Sequence, residues 1–382
     1  MKILYVSHYS TLGGANIELA TLCVEMRKRG NEVIIAVPSE GPACEYFEKN
    51  NIPYIVIPYK RWIYDINSSL KRKFLLTVMT YLNNLKYKRI LMNYIKDNSV
   101  DIVHTNDALT VVGSYAAYDA HVPHIWHLRE LLEDDYQIDF LFSKKYVTKW
   151  FSRSQAVVAI SKTVLEKYRS IFSKDNFQIV SDGIDLTSYD IESINKRNIN
   201  DTFSILYTGG TSEKKGFKDV IYIANELKKL GFEFKVLITG DCSSIDRYSQ
   251  MINELKVKEY LKIKGFVNNL NEIRSVCDVF LMPSVKEAFG LVTVEAMLSN
   301  LIVVGRNSGG TSEIIQDKIT GFLYDEGDYT YAANTIIDIY NMSNEDKLRI
   351  KQKAKLYAVA EYSIETTAEK LEMIYKARKS NE

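Results

Sequence analysis

The sequence has 382 residues, of which 46% are hydrophobic and 25% charged, and its formal net charge is +1. Because a chain of this length exceeds the size at which one hydrophobic core stops growing, we expect two domains of roughly 180 residues. The balanced charge argues against a general nucleic-acid binder, and four scattered cysteines without C-x-x-C spacing argue against disulfides or a structural zinc site.

The N-terminal half alternates strand-like apolar runs with amphipathic helices. Its first strand, over 3–6, follows Met1 almost directly and leaves no room for a signal peptide, and no apolar run approaches the ~20 residues that cross a bilayer. We therefore expect a cytoplasmic protein. The other predicted elements are a helix over 14–29 and strands over 33–37, 102–104, 125–127 and 156–160. This alternation is typical of a parallel sheet with crossover helices.

The same pattern restarts after a polar stretch at 191–202. The second set consists of a helix over 218–230 and strands over 204–207, 234–239, 261–265, 279–282 and 301–304. We predict two open α/β domains in series, 1–185 and 186–363, with the joint between residues 180 and 200. A last helix within 364–382 is expected to cross back to the first domain.

Two glycine-rich loops follow the first strands of the two predicted domains, where ligands of open parallel sheets bind. The first holds Gly13 and Gly14 before a helix, so backbone N–H groups can approach a ligand closely. The second, residues 207–216, ends in two lysines and a glycine and would fit a diphosphate; the alternative is a solvated turn. Neither loop has the spacing of a dinucleotide-binding fold or of a Walker loop.

Two carboxylates eight positions apart, Glu287 and Glu295, bracket a small-residue turn and the start of an apolar helix. The first N–H groups of that helix would attract a phosphate or ribose oxygen. Glu295 lies two turns into the helix, where paired sugar hydroxyls would satisfy its carboxylate. The alternative is one solvated glutamate and one capping glutamate.

A loop after a first-domain strand, residues 126–130, holds a histidine, an arginine and a carboxylate. The predicted strand end puts His127 at the same rim as the glycine loops, where it would touch a substrate; the alternative is a satisfied structural histidine. No close set of His, Asp and Glu with metal-ligand spacing is present in the sequence.

Taken together, the Gly-Gly-Ala loop, the Lys215-Gly216 loop and the Glu287-x7-Glu295 motif closely resemble the retaining family 4 glycosyltransferases with the GT-B fold. Short sequence motifs similar to those of the family, at 157–161, 182–185, 265–267 and 320–323, support the resemblance. The resemblance implies an α/β chain of two Rossmann-like, doubly wound parallel-sheet domains facing across a cleft. The second domain would hold a nucleotide-diphosphate sugar, and the first would hold the acceptor.

The resemblance also implies roles for individual residues. Glu287 and His127 would contact the donor sugar, and Lys215 would neutralise the departing diphosphate. The complete donor-binding set would be Gly14, Gly210, Lys215, Gly265, Phe266, Val267, Glu287, Phe289, Gly290, Leu291 and Glu295. In two places the sequence departs from the family: Gly210 stands where an arginine is usual, and Asp182 where an asparagine is usual.

The implied activity is retaining transfer of a hexose from a nucleotide-diphosphate sugar, with UDP favoured, to a glycan or lipid-linked acceptor in cell-surface polysaccharide synthesis. No cofactor and no metal are expected, since a lysine and helix-start N–H groups can neutralise the diphosphate. One alternative is a sugar-nucleotide epimerase, against which the two-glutamate motif argues. Another is a catalytically silent sugar-nucleotide-binding partner subunit, with Gly210 marking a loss of donor affinity.

Residues 60–96 form a local basic field with one acidic residue, Asp65. Aromatic and apolar residues interleave with the basic ones, as expected of a surface that rests on anionic lipid headgroups. We therefore predict peripheral contact with the inner face of the cell membrane, and an acceptor linked to lipid. The alternative is a solvated helix face whose apolar side packs in the first domain.

Overall fold

The computed structural model describes residues 1–169, 171, 177–189, 202–267 and 269–379. It divides into two compact units, Met1–Ile184 together with the segment from Ile364 onward, and Asp185–Ser363. Most of the predicted joint, together with the polar stretch up to residue 201, lies outside the described residues.

The first unit is an α/β unit with a large parallel sheet. Its strands are β1 (Lys2–Val6), β2 (Glu32–Val37), β3 (Tyr54–Val56), β4 (Ile63–Asp65), β5 (Ile102–Thr105), β6 (His124–Leu128), β7 (Ile138–Phe140), β8 (Ala156–Ala159) and β9 (Phe177–Ile179). Its helices before the second unit are α1 (Gly14–Lys28), α2 (Pro42–Lys49), α3 (Leu70–Asp97), α4 (Val112–Ala120), α5 (Glu133–Tyr136), α6 (Lys144–Phe151) and α7 (Lys162–Arg169).

Seven of these strands form one parallel sheet in the order β3-β2-β1-β5-β6-β8-β9, and β4 pairs antiparallel with β7. Successive side chains of β1 point to opposite faces of the sheet. Ile3 and Tyr5 join a core cluster with α1 and α2, whereas Leu4 and Val6 join a second cluster with α4 and the end of α3. Helices therefore cover both faces of the sheet.

The second unit repeats this plan. Its strands are β10 (Phe203–Tyr207), β11 (Phe234–Thr239), β12 (Leu261–Gly265), β13 (Val279–Met282), β14 (Ile302–Arg306) and β15 (Phe322–Tyr324). Its helices are α8 (Phe217–Lys229), α9 (Ser249–Glu254), α10 (Leu270–Arg274), α11 (Leu291–Leu298), α12 (Gly309–Ile314), α13 (Tyr329–Asn341) and α14 (Asn344–Tyr362). The six strands form a parallel sheet in the order β12-β11-β10-β13-β14-β15.

The two parallel sheets confirm the predicted fold class of two Rossmann-like, doubly wound units. The last helix, α15 (Ile364–Lys379), belongs to the first unit. It packs against α1 and buries Ile364, Ala368 and Leu371 in the cluster that contains Ile3. Among the described helices, none combines the length and apolarity that crossing a membrane requires.

Candidate functional site

In the second unit, polar residues gather beyond the carboxyl ends of β10, β13 and β14. These three strands are neighbours in the sheet, so the loops that follow them, 208–216, 283–290 and 307–308, meet at one edge. Val285 N donates a hydrogen bond to Lys214 O at 3.0 Å, and Gly310 N donates to Glu287 O at 2.8 Å. The three loops thus form one connected surface where ligands of such sheets bind.

Lys215 and Glu287 form an ion pair within this surface. Lys215 Nζ lies 2.9 Å from Glu287 Oε1 and 3.0 Å from Oε2, so the ammonium group bridges both carboxylate oxygens. The lysine side chain is 46% exposed and the glutamate side chain 16%. An ammonium group with this exposure, held by a single carboxylate, can also donate hydrogen bonds to a phosphate group.

The start of α11 supplies hydrogen-bond donors next to Glu287. Gly290 precedes the helix with φ of +108°. Within the described part of the chain, the N–H groups of Phe289, Gly290 and Leu291 donate to no other group. Such helix-start groups, with the positive end of the helix dipole behind them, favour an anion. The helix start predicted at residues 289–291 agrees with the observed one, where Gly290 is the N-cap and Leu291 the first helical residue.

The glycines at the start of α12 are explained by packing. A Cβ on Gly310 would lie 2.1 Å from Phe289 O, and one on Gly309 would lie 2.6 Å from Glu287 O. The 307–308 loop and α12 can therefore approach the Glu287–Phe289 backbone closely only because these two residues lack side chains.

Gly210 is equally constrained. Its φ is +58°, and a Cβ there would lie 2.1 Å from Asp241 O. The family's arginine therefore has no room at this position, and the local backbone accounts for the departure that the sequence shows.

Glu295 is held by a residue that the sequence analysis missed. Arg274, at the end of α10, donates from Nη2 to Glu295 Oε2, and its side chain is buried while that of Glu295 is partly exposed. The guanidinium also lies near the ring of Tyr189. A buried arginine fixes the direction of the Glu295 carboxylate. Because Arg274 is 21 positions earlier in the chain, no local spacing indicated it.

The remaining predicted donor residues lie at other strand ends. Gly265 ends β12 with φ of +68° and open space at its Cβ position, and it is followed by the exposed Phe266 and the half-buried Val267. In the first unit, Gly14 begins α1, is exposed and also has open space around it. None of these positions is obstructed.

The structure corrects the predicted position of His127. Strand β6 extends to Leu128, so His127 lies inside the strand and is completely buried rather than at its rim. Its Nε2 is 3.2 Å from Val180 O. Burial and the adjacent positive charge of Arg129 lower the pKa of His127, so its imidazole is neutral. These contacts are those of a structural histidine.

Arg129 centres a buried charge network. It pairs with Asp182, and Nη2 lies 2.8 Å from Glu18 Oε2. The acid at position 182, where the family usually has an amide, thus has a buried cationic partner. The Arg129–Asp182 ion pair explains why this chain has an acid at position 182, its second departure from the family's sequence motifs.

The first unit also contains a set of groups that the sequence analysis did not find. His8, Asp107 and Glu130 follow the neighbouring strands β1, β5 and β6, and one ligand-type atom from each lies within 4.8 Å of the others. His8 Nδ1 is 2.7 Å from Asp107 Oδ2, and Asp107 Oδ1 accepts from Leu109 N at 2.6 Å. Separations of 99 residues between His8 and Asp107 and 23 residues between Asp107 and Glu130 hide this set in the sequence. The prediction that the chain has no close set of His, Asp and Glu is therefore wrong for these three residues.

Within this set, His8 is oriented by a buried carboxylate. Its side chain is partly exposed, and Nε2 makes no hydrogen bond to the described residues. Glu130 Oε2 accepts from Ala108 N at 3.2 Å and Arg129 N at 3.3 Å. Burial, with the charge of Asp107 beside it, raises the pKa of Glu130 to about 8. The arrangement presents one imidazole nitrogen at the edge of the sheet.

Comparison with known families assigns both halves of the chain. The model for "Glycosyl transferases group 1" matches residues 190–357, and that for "Glycosyltransferase Family 4" matches residues 12–188. An uncharacterized glycosyltransferase of Methanocaldococcus jannaschii is 26% identical over 335 residues, which cover 81% of this chain and 80% of that protein. The capsular polysaccharide biosynthesis glycosyltransferase CapM of Staphylococcus aureus is 24% identical, with coverage of 98% and 97%.

Among solved structures, HepE of Anabaena in complex with UDP superposes with a TM-score of 0.78. The two proteins are 20% identical, and the match covers 99% of this chain and 100% of HepE. At this level of identity the likeness establishes the fold.

Proposed function

Because the chain belongs to the family 4 glycosyltransferases and shares their GT-B fold, we propose that it transfers a sugar from a nucleotide-diphosphate sugar to an acceptor hydroxyl with retention of anomeric configuration. The observation that carries this proposal is the grouping of Lys215, Glu287 and the helix-start N–H groups of residues 289–291. A cation and unpaired backbone donors suit a diphosphate, and a neighbouring carboxylate suits sugar hydroxyls.

Each predicted donor residue has a role in the proposal. Lys215 and the N–H groups of Phe289, Gly290 and Leu291 bind the diphosphate, and Glu287 orients the sugar. Glu295, held by Arg274, accepts hydrogen bonds from the ribose hydroxyls. Gly265, Phe266 and Val267 line the base, Gly14 approaches the phosphates, and Gly210 shapes the loop. His127 is proposed to support Arg129 through its buried position rather than to touch the sugar.

The proposed reaction breaks the bond between the anomeric carbon and the diphosphate oxygen. The acceptor oxygen forms a new bond on the same face, and its proton passes to the departing diphosphate. Lys215 and the start of α11 stabilise the negative charge that develops on that diphosphate. These cationic and dipolar groups make a metal unnecessary, and no side chain acts as a covalent nucleophile.

The favoured donor is a UDP-sugar, and the favoured acceptor is a glycan or a lipid-linked sugar of a cell-surface polysaccharide. HepE has been solved with UDP and with UDP-glucose, and CapM is named for capsular polysaccharide biosynthesis. The protein would work in the cytoplasm, at the inner face of the membrane.

On the acceptor side, we propose that His8 accepts a hydrogen bond from the reacting hydroxyl through Nε2. Asp107 holds the imidazole by its Nδ1 atom, which leaves Nε2 directed away from that bond. Histidine–carboxylate pairs of this kind orient hydroxyl groups in many enzymes. In this proposal Asp107 is a positioning residue.

The test is to incubate the purified protein with UDP-, GDP-, ADP- and dTDP-sugars in the presence of EDTA and to measure release of nucleoside diphosphate. We expect release from one donor, lost in Glu287→Ala and retained in Glu259→Ala, which removes an exposed carboxylate far from these loops in sequence. Conversion of the sugar without release would favour an epimerase. A protein that binds a donor without any turnover would favour the silent partner subunit.

A further inference from the structure

The first half of helix α3 exposes large apolar side chains and buries polar ones. Between residues 70 and 84 its buried side chains are polar, Thr80 and Asn84, whereas its large apolar side chains face solvent. Leu70 is 85% exposed, Phe74 72% and Leu82 61%. The alternative considered from sequence, an apolar side packed in the first domain, applies to the second half of the helix. There Leu91 and Ile95 are buried, and Tyr87, Met92 and Tyr94 pack against the same cluster.

The buried polar residues show that this orientation is fixed. Asn84 Oδ1 accepts from Lys60 N at 2.8 Å, and Asn84 Nδ2 donates to Lys60 O at 2.9 Å. The amide side chain therefore satisfies both backbone groups of Lys60 and holds the helix against that segment. Rotating the apolar side inward would leave these groups unpaired, at a cost that favours the observed arrangement.

The exposed apolar residues form a continuous stripe. At helical spacing, positions 71, 75, 78, 82, 86 and 89 share one face, with apolar residues in the middle and basic residues at both ends. Phe74 and Met79 widen the apolar part. Beside the helix start, Ile66 N donates to Gln137 O at 2.9 Å, and the neighbouring Tyr136 is exposed. Exposed patches of this kind mark interaction sites.

The charges on this face have one sign. No Asp or Glu occurs from 66 to 96, and Lys71, Arg72, Lys86 and Arg89 are exposed. Two other basic residues of the predicted field are engaged within the unit, since Lys88 pairs with Asp119 and Lys73 donates to Tyr64. Trp62, also in that field, is fully buried against Trp126. The part of the basic field of 60–96 that combines exposed basic and exposed apolar side chains is thus the outward face of α3.

We propose that this face, Leu70 to Arg89 of α3, docks onto a bilayer that contains anionic phospholipids. Apolar side chains would enter the boundary between headgroups and acyl chains, and the basic residues would contact the anionic headgroups. A second copy of the chain is a poorer occupant, because a twofold interface would set the same basic residues against one another. The inference specifies the membrane contact of the proposed function but does not depend on turnover.

The test is sedimentation of the full chain with vesicles of phosphatidylcholine alone and of phosphatidylcholine mixed with phosphatidylglycerol. We expect binding to the mixed vesicles, weakened by salt. Lys71→Gln with Arg72→Gln should weaken binding by about thirtyfold, and Phe74→Ser with Leu82→Ser by at least about tenfold. Both double variants should keep the melting temperature and the donor-binding shift of the wild type, because all four side chains are exposed.

A matched control on α14 of the second unit combines Lys353→Gln with Leu356→Ser, which are also exposed, and should bind like the wild type. The proposal is overturned if the wild type does not sediment with mixed vesicles, or if both α3 variants bind as tightly as the control. It is also overturned if Phe74→Ser with Leu82→Ser converts a dimer to a monomer while vesicle binding is unchanged. Loss of turnover with intact vesicle binding would contradict only the proposed function.

Discussion

Lys215 and Glu287 are joined by an ion pair in which Nζ lies 2.9 Å and 3.0 Å from the two carboxylate oxygens. The Glu287 carboxylate therefore binds the same ammonium group that we propose as a ligand of the diphosphate. A diphosphate must share or displace this partner, and the released carboxylate then becomes available to the sugar. Substitutions of Lys215 and Glu287 should consequently have different effects on the affinity for a nucleotide that carries no sugar.

The first prediction separates these responses. Lys215→Ala should weaken UDP binding by about 10- to 100-fold, because a hydrogen bond between charged groups is lost. Glu287→Ala should bind UDP as tightly as the wild type or more tightly, since it frees the ammonium group, yet it should lose release of UDP from the sugar donor. Calorimetric titration with UDP checks both variants. Equal weakening in the two variants would contradict the competition.

The second prediction concerns the ribose. If Glu295 accepts hydrogen bonds from the ribose hydroxyls, the wild type should bind UDP about tenfold more tightly than 2′,3′-dideoxy-UDP. Glu295→Ala should bind both nucleotides equally, and Arg274→Met should reduce the difference because the carboxylate loses its buried guanidinium partner. Titration of the two nucleotides against the three proteins measures this. An undiminished preference in Glu295→Ala would remove the ribose role.

The third prediction concerns His8. With the diphosphate as the base, His8 only positions the acceptor hydroxyl, so His8→Ala should lower transfer by about tenfold without changing the Kd for UDP. Asp107→Asn should have a smaller effect, visible in the acceptor KM. The measurement is transfer to the acceptor, together with the anomeric configuration of the product. A loss far above tenfold with an inverted product would identify His8 as a catalytic base and contradict the proposed retention.

The inner strands of the two parallel sheets were predictable because they are buried on both faces and read as short apolar runs. The edge strands β3 and β9 are partly exposed and were not predicted. Runs such as 3–6 and 279–282 agree with β1 and β13 to within a residue. Lys215, Glu287 and the start of α11 were predictable for a related reason. They lie in loops directly after such runs, and their side chains and backbone donors have no role in the core.

The rest of the site depends on contacts that sequence spacing does not encode. His127 was misplaced because β6 continues one residue beyond the predicted strand, and that residue keeps the imidazole inside the sheet. His8, Asp107 and Glu130 come together only through the strand order β1-β5-β6. Arg274 reaches Glu295 from a separate helix. Each of these relationships is set by tertiary packing.

The fourth prediction tests the explanation of Gly210. Restoring the family's residue with Gly210→Arg should destabilise the second unit rather than strengthen donor binding, because positive φ costs about 1–3 kcal/mol and the Cβ would overlap Asp241 O. Gly231→Ala is a matched control, with φ of +67° but nothing within 4 Å of its Cβ position, and should cost only about 1–2 kcal/mol. Gly210→Ala should cost clearly more than this control in chemical unfolding. Equal costs would show that the overlap with Asp241 is relieved.

The last prediction follows from the raised pKa of Glu130. Its pKa is about 8 in the folded protein and about 4.3 in an unfolded chain. Between these values the Glu130 carboxyl is protonated in the folded state and ionised in the unfolded state, so its contribution to the free energy of unfolding should fall as the pH rises, by at most about 1.4 kcal/mol per pH unit. The stabilisation is complete below the unfolded pKa and is lost as the pH passes the folded pKa.

Glu130→Gln carries no such proton, because an amide stays neutral at every pH. Its unfolding free energy should therefore decline less steeply with rising pH than that of the wild type, the difference in slope reaching at most about 1.4 kcal/mol per pH unit. Glu18, whose pKa is also raised to about 8 by burial, contributes the same decline to both proteins. The exposed Glu259→Gln should follow the wild type. Urea unfolding at a series of pH values from about 5 to about 9 provides the comparison. Parallel pH profiles for the wild type and Glu130→Gln would mean that the buried carboxyl is ionised throughout, with its charge balanced by the N–H groups of Ala108 and Arg129.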